Sequence, residues 1–313
     1  MRYCFGVDIG GTTVKLGLFK FDGEVLEKWE IKTRTENEGA NILPDVAAAI
    51  KERMAQHELS KEDVLGVGVG IPAPVMETGI VKATANLGWG YKEVKHELEE
   101  LLEIEVKVGN DANVAALGEM WKGGGLGHRN MIMVTLGTGV GGGVITNGHI
   151  MVGGHGAGGE IGHICVNYDE TEKCGCGSRG CLEQYASATG IARLARKRLA
   201  KNEDATVLRE KNINAISAKT VFDAVKEGDK VACEIAEEFG QYLGYALANL
   251  AVIVDPEIIV IGGGVSRAGE ILLDYVTKPF MERVFFANKE CGFALATLGN
   301  DAGIFGAAKL VLK

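Results

Sequence analysis

Several things are scarce in this chain, and each scarcity excludes something. Proline is rare, with 5 among 313 residues, and no stretch rich in Ser, Pro or charge forms a linker. No apolar run reaches the roughly 20 residues of a membrane span. The longest uncharged one, Phe239–Val254, falls short and carries Gln241 and Asn249. Met1 leads straight into Gly6-Val7-Asp8, with no basic segment followed by an apolar core, so no secretory signal is read. Positive charge is also lacking: the net charge is −9, which speaks against a surface built to neutralise a nucleic-acid backbone. The one basic cluster, Arg193, Arg196, Lys197, Arg198 and Lys201, reads as the solvated face of a helix that carries Leu194 and Leu199. Cysteines number 7, an odd count, and Cys4, Cys165, Cys233 and Cys291 are scattered through apolar segments. That suits buried thiols in a reducing cytoplasm better than a disulfide framework. A soluble cytoplasmic protein without membrane or nucleic-acid partners is therefore expected.

What the chain has in excess is glycine, 45 residues, roughly twice the usual share of about 7%. Outside a collagen period, such glycines mark turns and places where backbone approaches a ligand closely. Hydrophobic residues at 46% supply a sizeable core, and the length suits two domains. Tyr3–Ile9, Val14–Leu18 and Val25–Thr33 read as antiparallel strands joined at Gly10-Gly11-Thr12-Thr13 and Asp22-Gly23. A helix is expected from Pro44 to about Gln56, a buried strand at Val64–Ile71, a helix at Tyr91–Leu102, a strand at Val106–Val108 and a helix at Ala112–Trp121. The pattern then restarts with a strand at Asn130–Leu136, a glycine turn at 137–143, a strand at Val144–Thr146 and the Asn147-Gly148 hairpin. Gly10 and Gly137 stand 127 residues apart, so we read an internal duplication giving two similar α/β lobes. Helices near 184–201, 217–226, 230–250 and 269–282 and a strand at Ile258–Ile261 complete the reading. The expected division is 1–115 with a closing helix at about 300–313 for a small lobe, and 116–299 for a large one.

Gly137, Gly139 and Gly142 match G-x-G-x-x-G, but a strand follows where a dinucleotide fingerprint needs a helix, and no Walker-type loop is present. What remains is a pair of hairpin turns with Gly and Thr at their tips, whose bare N–H groups and hydroxyls suit a polyphosphate clamp. The bland alternative is that both turns are merely tight. Asp8 ends the first buried strand. A carboxylate there suits Mg²⁺ held through water, or it simply accepts the turn's N–H groups. Asn110-Asp111 lies between a strand and a helix, and reads equally as an N-cap or as a substrate ligand followed by a general base.

The strongest local signal is Cys174-Gly-Cys176-Gly-Ser-Arg-Gly-Cys181, with Gly159-Glu160-Ile161-Gly162-His163 upstream. Three thiolates on a glycine-rich knuckle can converge on one ion, and His163 completes a Cys₃His tetrahedral zinc set of the structural kind. Glu160 and Glu183 flank that set, and paired carboxylates suit the vicinal hydroxyls of a sugar. The alternative is a pair of solvated glutamates.

Asp8-Ile-Gly-Gly-Thr-Thr, Asn110-Asp111-Ala-Asn113, Leu136-Gly-Thr-Gly-Val-Gly, Glu160-Ile-Gly-His163 and Cys174-x-Cys176-Gly-x-x-Gly-Cys181-x-Glu183 occur in this order. Together they resemble the ROK family of sugar kinases and sugar-responsive repressors, in the actin/hexokinase-like superfamily. The likeness extends to Asp301-Ala-Gly-Ile-Phe-Gly-Ala-Ala, similar to the family's closing helix. The resemblance implies a two-lobed, ribonuclease H-like α/β fold with an interlobe cleft and a zinc-binding knuckle. It implies that Asp8 (toward Mg²⁺, via water) and Gly10, Gly11, Thr12 and Thr13 meet phosphates, with Gly137, Thr138 and Gly139 as the second phosphate turn. Gly262, Gly263 and Gly264 would lie against adenosine. Asp111 maps onto the catalytic base, and Asn110, Glu160, His163 and Glu183 onto sugar ligands, His163 serving zinc and sugar through different ring nitrogens. Ala73 and Asn86 would close over the sugar.

The resulting expectation is ATP-dependent phosphorylation of a hexose at its 6-hydroxyl, most plainly glucose, with Mg²⁺ accompanying ATP and zinc as a structural ion. Rivals are a kinase for N-acetylmannosamine, N-acetylglucosamine, mannose or fructose, and a sugar-sensing repressor. The repressor reading needs a helix-turn-helix ahead of the first glycine turn, where seven residues precede Asp8. A homodimer or homotetramer is implied by the resemblance alone.

Overall fold

Short turns set up the first sheet. Gly23, at φ +89°, lets β2 (Thr13–Lys20) fold back onto β3 (Val25–Lys32), and the turn after Ile9 does the same between β1 (Tyr3–Ile9) and β2. β4 (Val64–Ile71) and β5 (Val106–Asn110) then add in parallel, giving the order β3-β2-β1-β4-β5. Parallel neighbours need long crossovers. These contain α1 (Ile42–Gln56) ahead of β4 and α2 (Val94–Leu102) ahead of β5. α3 (Asp111–Lys122) leaves the end of β5 directly. The structure, a computed structural model, describes residues 2–312.

The second sheet has the same plan. β6 (Met131–Leu136), β7 (Val140–Thr146), β8 (His149–Ile150), β9 (Ile258–Gly262) and β10 (Gly292–Leu295) take the order β8-β7-β6-β9-β10, with β9 parallel to both β6 and β10. A hairpin followed by two parallel additions thus occurs twice, as the repeated turn pattern predicts. Between β8 and β9 run α4 (Glu183–Ala186), α5 (Ala188–Lys201), α6 (Ala218–Lys226) and α7 (Lys230–Val254). α8 (Glu270–Arg283) follows β9. α9 (Ala302–Val311) ends the described chain.

The chain forms two compact units. The first comprises Met1–Gly127, Gly143–Gly159 and Leu298–Lys313, and the second His128–Gly142 and Glu160–Thr297. In the first, Phe5, Val7, Ile9, Leu16, Leu18, Val67 and Val69 bury against Val46 and Ile50 of α1. On the opposite face α9 crosses β1 and β4 and packs along α3. The alternation of Gly and Val in β4 has its cause here: a Cβ on Gly68 would overlap the carbonyl of Ala307. In the second unit α7 packs against α8, α5 and α6, with Phe239, Leu243 and Leu247 buried.

Some expectations need correction. The second glycine turn ends at Gly139, and β7 begins at Val140 rather than Val144. Gly143 is a strand residue lying flush against Ala112 and Ala116 of α3, so it marks close packing and not a turn. The helix expected from Tyr91 begins at Val94, because Lys92–Glu93 pairs with Ile80–Val81. The helix expected near 184–201 breaks at Ser187, whose hydroxyl accepts the Gly190 N–H at 2.9 Å and caps α5. Cys4 and Cys291 are buried, and burial pushes both thiols up to about 12, but Cys165 is exposed and Cys233 half-buried. The basic face of α5 is not simply solvated. Arg193 bonds Glu170 at 2.5 Å and Glu172 at 2.9 Å, and Arg198 bonds Glu234 at 2.7 Å.

Candidate active site

In the first unit, β1, β4 and β5 run parallel, and their register sets Asp8 beside Gly70 and Gly70 beside Gly109. Ligands of open α/β sheets gather beyond the carboxyl ends of such strands. There the structure brings Asp8, the Gly10–Thr13 turn, Ala73, Asn110 and Asp111 into one unit. Burial raises the Asp8 pKa, countered by Lys15 across the β1–β2 register. No donor among the described residues hydrogen-bonds to its carboxyl, so the alternative in which it accepts the turn's N–H groups fails. The turn closes on itself instead: the Gly10 N–H donates to Thr13 O at 3.0 Å, and Thr33 Oγ1 donates to Gly10 O at 2.6 Å. Gly11 and Thr12 stay exposed, with Asn86 next to Gly11.

Asn110 answers to the capping alternative. Its Oδ1 accepts the Asn113 N–H at 3.1 Å as the N-cap of α3, while its Nδ2 donates to Ala73 O at 3.1 Å. One side chain therefore anchors the catalytic-candidate helix and the 72–74 turn together. Asp111 is the first residue of α3, half-buried, its Oδ1 accepting the Ala112 N–H at 2.8 Å. A helix N-terminus favours the charged carboxylate.

The second unit holds the remaining candidates. The Gly137 N–H donates to Gly139 O at 3.0 Å. The start of α5 supports this turn: the Ala188 N–H donates to Gly137 O at 2.8 Å, and Thr189 Oγ1 donates to Thr138 O at 2.7 Å. Glu183 Oε2 accepts the Val140 N–H at 3.0 Å, and a Cβ on Gly139 would collide with that same oxygen. Glu183 also takes a contact from the Cys174 thiol at 3.5 Å. It is no loose surface glutamate; it joins the second glycine turn to the cysteine knuckle. Glu160 precedes a short turn, Ile161–His163, with His163 Nε2 4.0 Å from Glu160 Oε2 and both side chains accessible.

His163, Cys174, Cys176 and Cys181 present ligand atoms that all lie within 4.8 Å of one another. Cys176 Sγ and Cys181 Sγ are 3.6 Å apart. Two thiolates each about 2.3 Å from a tetrahedral zinc stand about 3.8 Å from one another, so the donor set fits that ion. Backbone pairing already joins the segments: the Val166 N–H donates to Gly180 O at 2.7 Å and the Leu182 N–H to Ile164 O at 2.8 Å. The Ser178 N–H draws the Cys176 thiol down to about 7, whereas burial and the neighbouring thiols push Cys181 to about 12.

Behind the knuckle, Glu170 locks the helix that begins with Glu183. Burial alone would raise its pKa, but Tyr185 Oη, donating at 2.5 Å, and Arg193 outweigh that and hold it at about 2. A depressed carboxyl contributes stability that is complete above its unfolded value of 4.5 and is lost as pH falls toward 2. Glu170→Gln is expected to cost about 3 kcal/mol at pH 7, as for a broken buried ion pair. Urea unfolding at pH 7 and pH 3 checks this: the deficit relative to the unsubstituted protein shrinks at the lower pH.

Gly262 ends β9, and Gly263, at φ +86°, turns the chain against Leu136. Beside Gly264 lies a cavity of about 390 Å³ lined by Ala188, Ser217, Phe222, Val265 and Arg267. No motif pointed to Ser217 and Phe222, the cap and an interior residue of α6, or to Arg267 in the turn after β9. The only signal was the glycine triplet.

The profile of the ROK family matches residues 4–313. A glucokinase of Halalkalibacterium halodurans is 44% identical over 99% of this chain and 95% of its own. A glucokinase of Thermotoga maritima is 38% identical over 98% of this chain and 96% of its own. Among solved structures, a ROK family glucokinase from Streptomyces griseus in complex with glucose and AMPPNP is 35% identical. It superposes with a TM-score of 0.75, covering 98% of each chain.

Proposed function

The chain belongs to the ROK family, with its actin/hexokinase-like α/β fold, and from that premise we infer that it transfers the γ-phosphoryl group of ATP to the 6-hydroxyl of glucose. The observation that carries the reading is the placing of Asp111. It opens α3 at the carboxyl end of β5, where the register of β1, β4 and β5 brings Gly109 level with Gly70 and Gly70 level with Asp8. In such a transfer the protein positions the reactants and removes a proton. Asp111 takes the proton of the 6-hydroxyl as the oxygen attacks phosphorus, and Asn110 holds a neighbouring hydroxyl with its remaining capacity. Glu160, His163 and Glu183 are assigned to the other hydroxyls, supported by the accessibility of the first two and the fixed orientation of the third. The two glycine turns are assigned to the phosphates on the strength of the exposed Gly11, Thr12 and Thr138 at their tips, and the cavity beside Gly264 to the adenosine.

Asp8, a partly buried carboxyl without a hydrogen-bond donor, fits Mg²⁺ held through water. When bound, that ion neutralises charge on the phosphates. The Cys₃His set fits a structural zinc, which supplies rigidity rather than a reactive position. ATP as substrate and a reduced thiol set favour a cytoplasmic protein, and a homodimer or homotetramer remains the family-based expectation. No helix among the described residues is long and apolar enough to cross a membrane.

A sugar panel in a coupled ADP-release assay tests the reading. Glucose is expected to give the highest kcat/KM. A preference for N-acetylmannosamine, N-acetylglucosamine, mannose or fructose would replace the substrate, and no turnover with any sugar would overturn the kinase.

A further inference from the structure

Glu119 is fully buried, eight residues after Asp111 on α3, or about 12 Å along the helix axis. A charged residue type in such a position has to be satisfied by specific partners. Its Oε2 accepts the Gly124 N–H at 2.8 Å, and its Oε1 accepts the Leu298 N–H at 2.9 Å. Its main-chain carbonyl accepts the Gly123 and Gly125 N–H groups, each at 3.0 Å. These partners mark particular places along the chain. Gly124 lies three residues before the chain first leaves the first unit after Gly127, and Leu298 is the residue at which it re-enters that unit for the second time. The carboxyl group thus holds the first and the last of the four crossing segments to one point on the helix that begins with Asp111. Gly123 completes the arrangement, because a Cβ there would overlap Glu119 Oε2.

We propose that Glu119 is a positioning residue for phosphoryl transfer: it fastens the Gly124 and Leu298 segments to α3 and so holds the helix that begins with Asp111 in its working alignment. Resting on the kinase reading, the inference adds a residue that no ligand touches. Reactions that depend on alignment are sensitive to small displacements far from the reacting atoms, which can cost on the order of 10²-fold.

Two variants test it. Glu119→Gln keeps the shape but turns an N–H donor toward one of the two backbone donors. Gly123→Ala keeps the carboxyl and displaces it, at a backbone φ of −123° that alanine tolerates. In both, amide exchange at Gly124 and Leu298 is expected to accelerate, and kcat per folded molecule to fall at least about 10-fold. The glucose Kd is expected to stay within about 3-fold, and the pH profile of kcat to keep its shape, because the lost contact matters in the transition state and Asp111 is intact. Faster exchange with kcat within about 2-fold of the unsubstituted protein would overturn the proposal, because broken fastening would then leave the reaction untouched. Unchanged exchange would overturn it as well. If the unsubstituted protein makes no ADP with any sugar, the kinase reading falls, and exchange at the two amides still decides whether the fastening exists.

Discussion

Asp111→Ala is expected to lower turnover at least about 100-fold, the low end for a lost general base, while glucose still binds. The hydroxyl must lose its proton as it attacks, and alanine at this position leaves no carboxylate on α3's first turn. The helix itself should survive, because its cap is Asn110, whose Oδ1 keeps the Asn113 N–H. The two adjacent residues thus separate a structural duty from a chemical one. Asp111→Asn, of nearly the same shape, should fall as far as alanine. Equilibrium binding of glucose and steady-state kcat, taken on the same preparations, check the expectation. Near-normal turnover in either variant removes Asp111 from the mechanism. Loss of binding together with turnover would make it a ligand first.

Removing the metal from the cysteine knuckle is the second large effect. The protein is expected to contain about one zinc per chain, and Cys181→Ser or prolonged chelation to raise the KM for glucose at least about 10-fold, as supporting contacts of a metal site typically do. The reason lies in Glu183, two residues after Cys181. Its carboxyl touches the Cys174 thiol and also receives the Val140 N–H at the second glycine turn. Loosening the knuckle therefore disturbs the proposed sugar ligand Glu183 and the proposed second phosphate turn together, so the KM for ATP should rise too. Wholesale unfolding is not expected, because the 163–166 and 180–182 segments keep their backbone pairing. Metal analysis and kinetics after chelation and zinc restoration test this. A zinc-free protein with unchanged constants would reduce the knuckle to a surface ornament.

The strands were legible because their turns are spelled out chemically: Asp22-Gly23 and Asn147-Gly148 each end a strand where the structure ends it. The repeated strand-turn-strand pattern gave the repeated sheet order for the same reason. The Cys₃His cluster was legible because three of its four members lie within eight residues of one another, and the fourth belongs to a local Glu-x-x-His pattern. Misreadings arose where a residue's partner is distant in the chain. Gly143 looks like part of a turn until α3 is laid against it, and Arg193 looks solvated until Glu170 arrives from 23 residues away. Asn110 showed both of its faces in the sequence, cap and ligand, and the structure establishes the first directly. Glu119 left no mark at all. A glutamate near a helix end is ordinary, and the return of the chain at Leu298, 179 residues later, is what adds a distant partner to the local Gly124 N–H.

The helix that completes the first unit follows its first strand by about 300 residues. α9 covers β1 and β4 with Ile304, Ala307 and Ala308, all essentially inaccessible to solvent. β1 is made well before its covering, which follows only after residues 160–297 of the second unit. Throughout synthesis the early strands wait with one apolar face bare, whereas residues 160–297 of the second unit emerge as one continuous stretch before that covering is available. The nascent chain is therefore most exposed to aggregation and proteolysis in its oldest part. Its rescue depends on the arrival of α9.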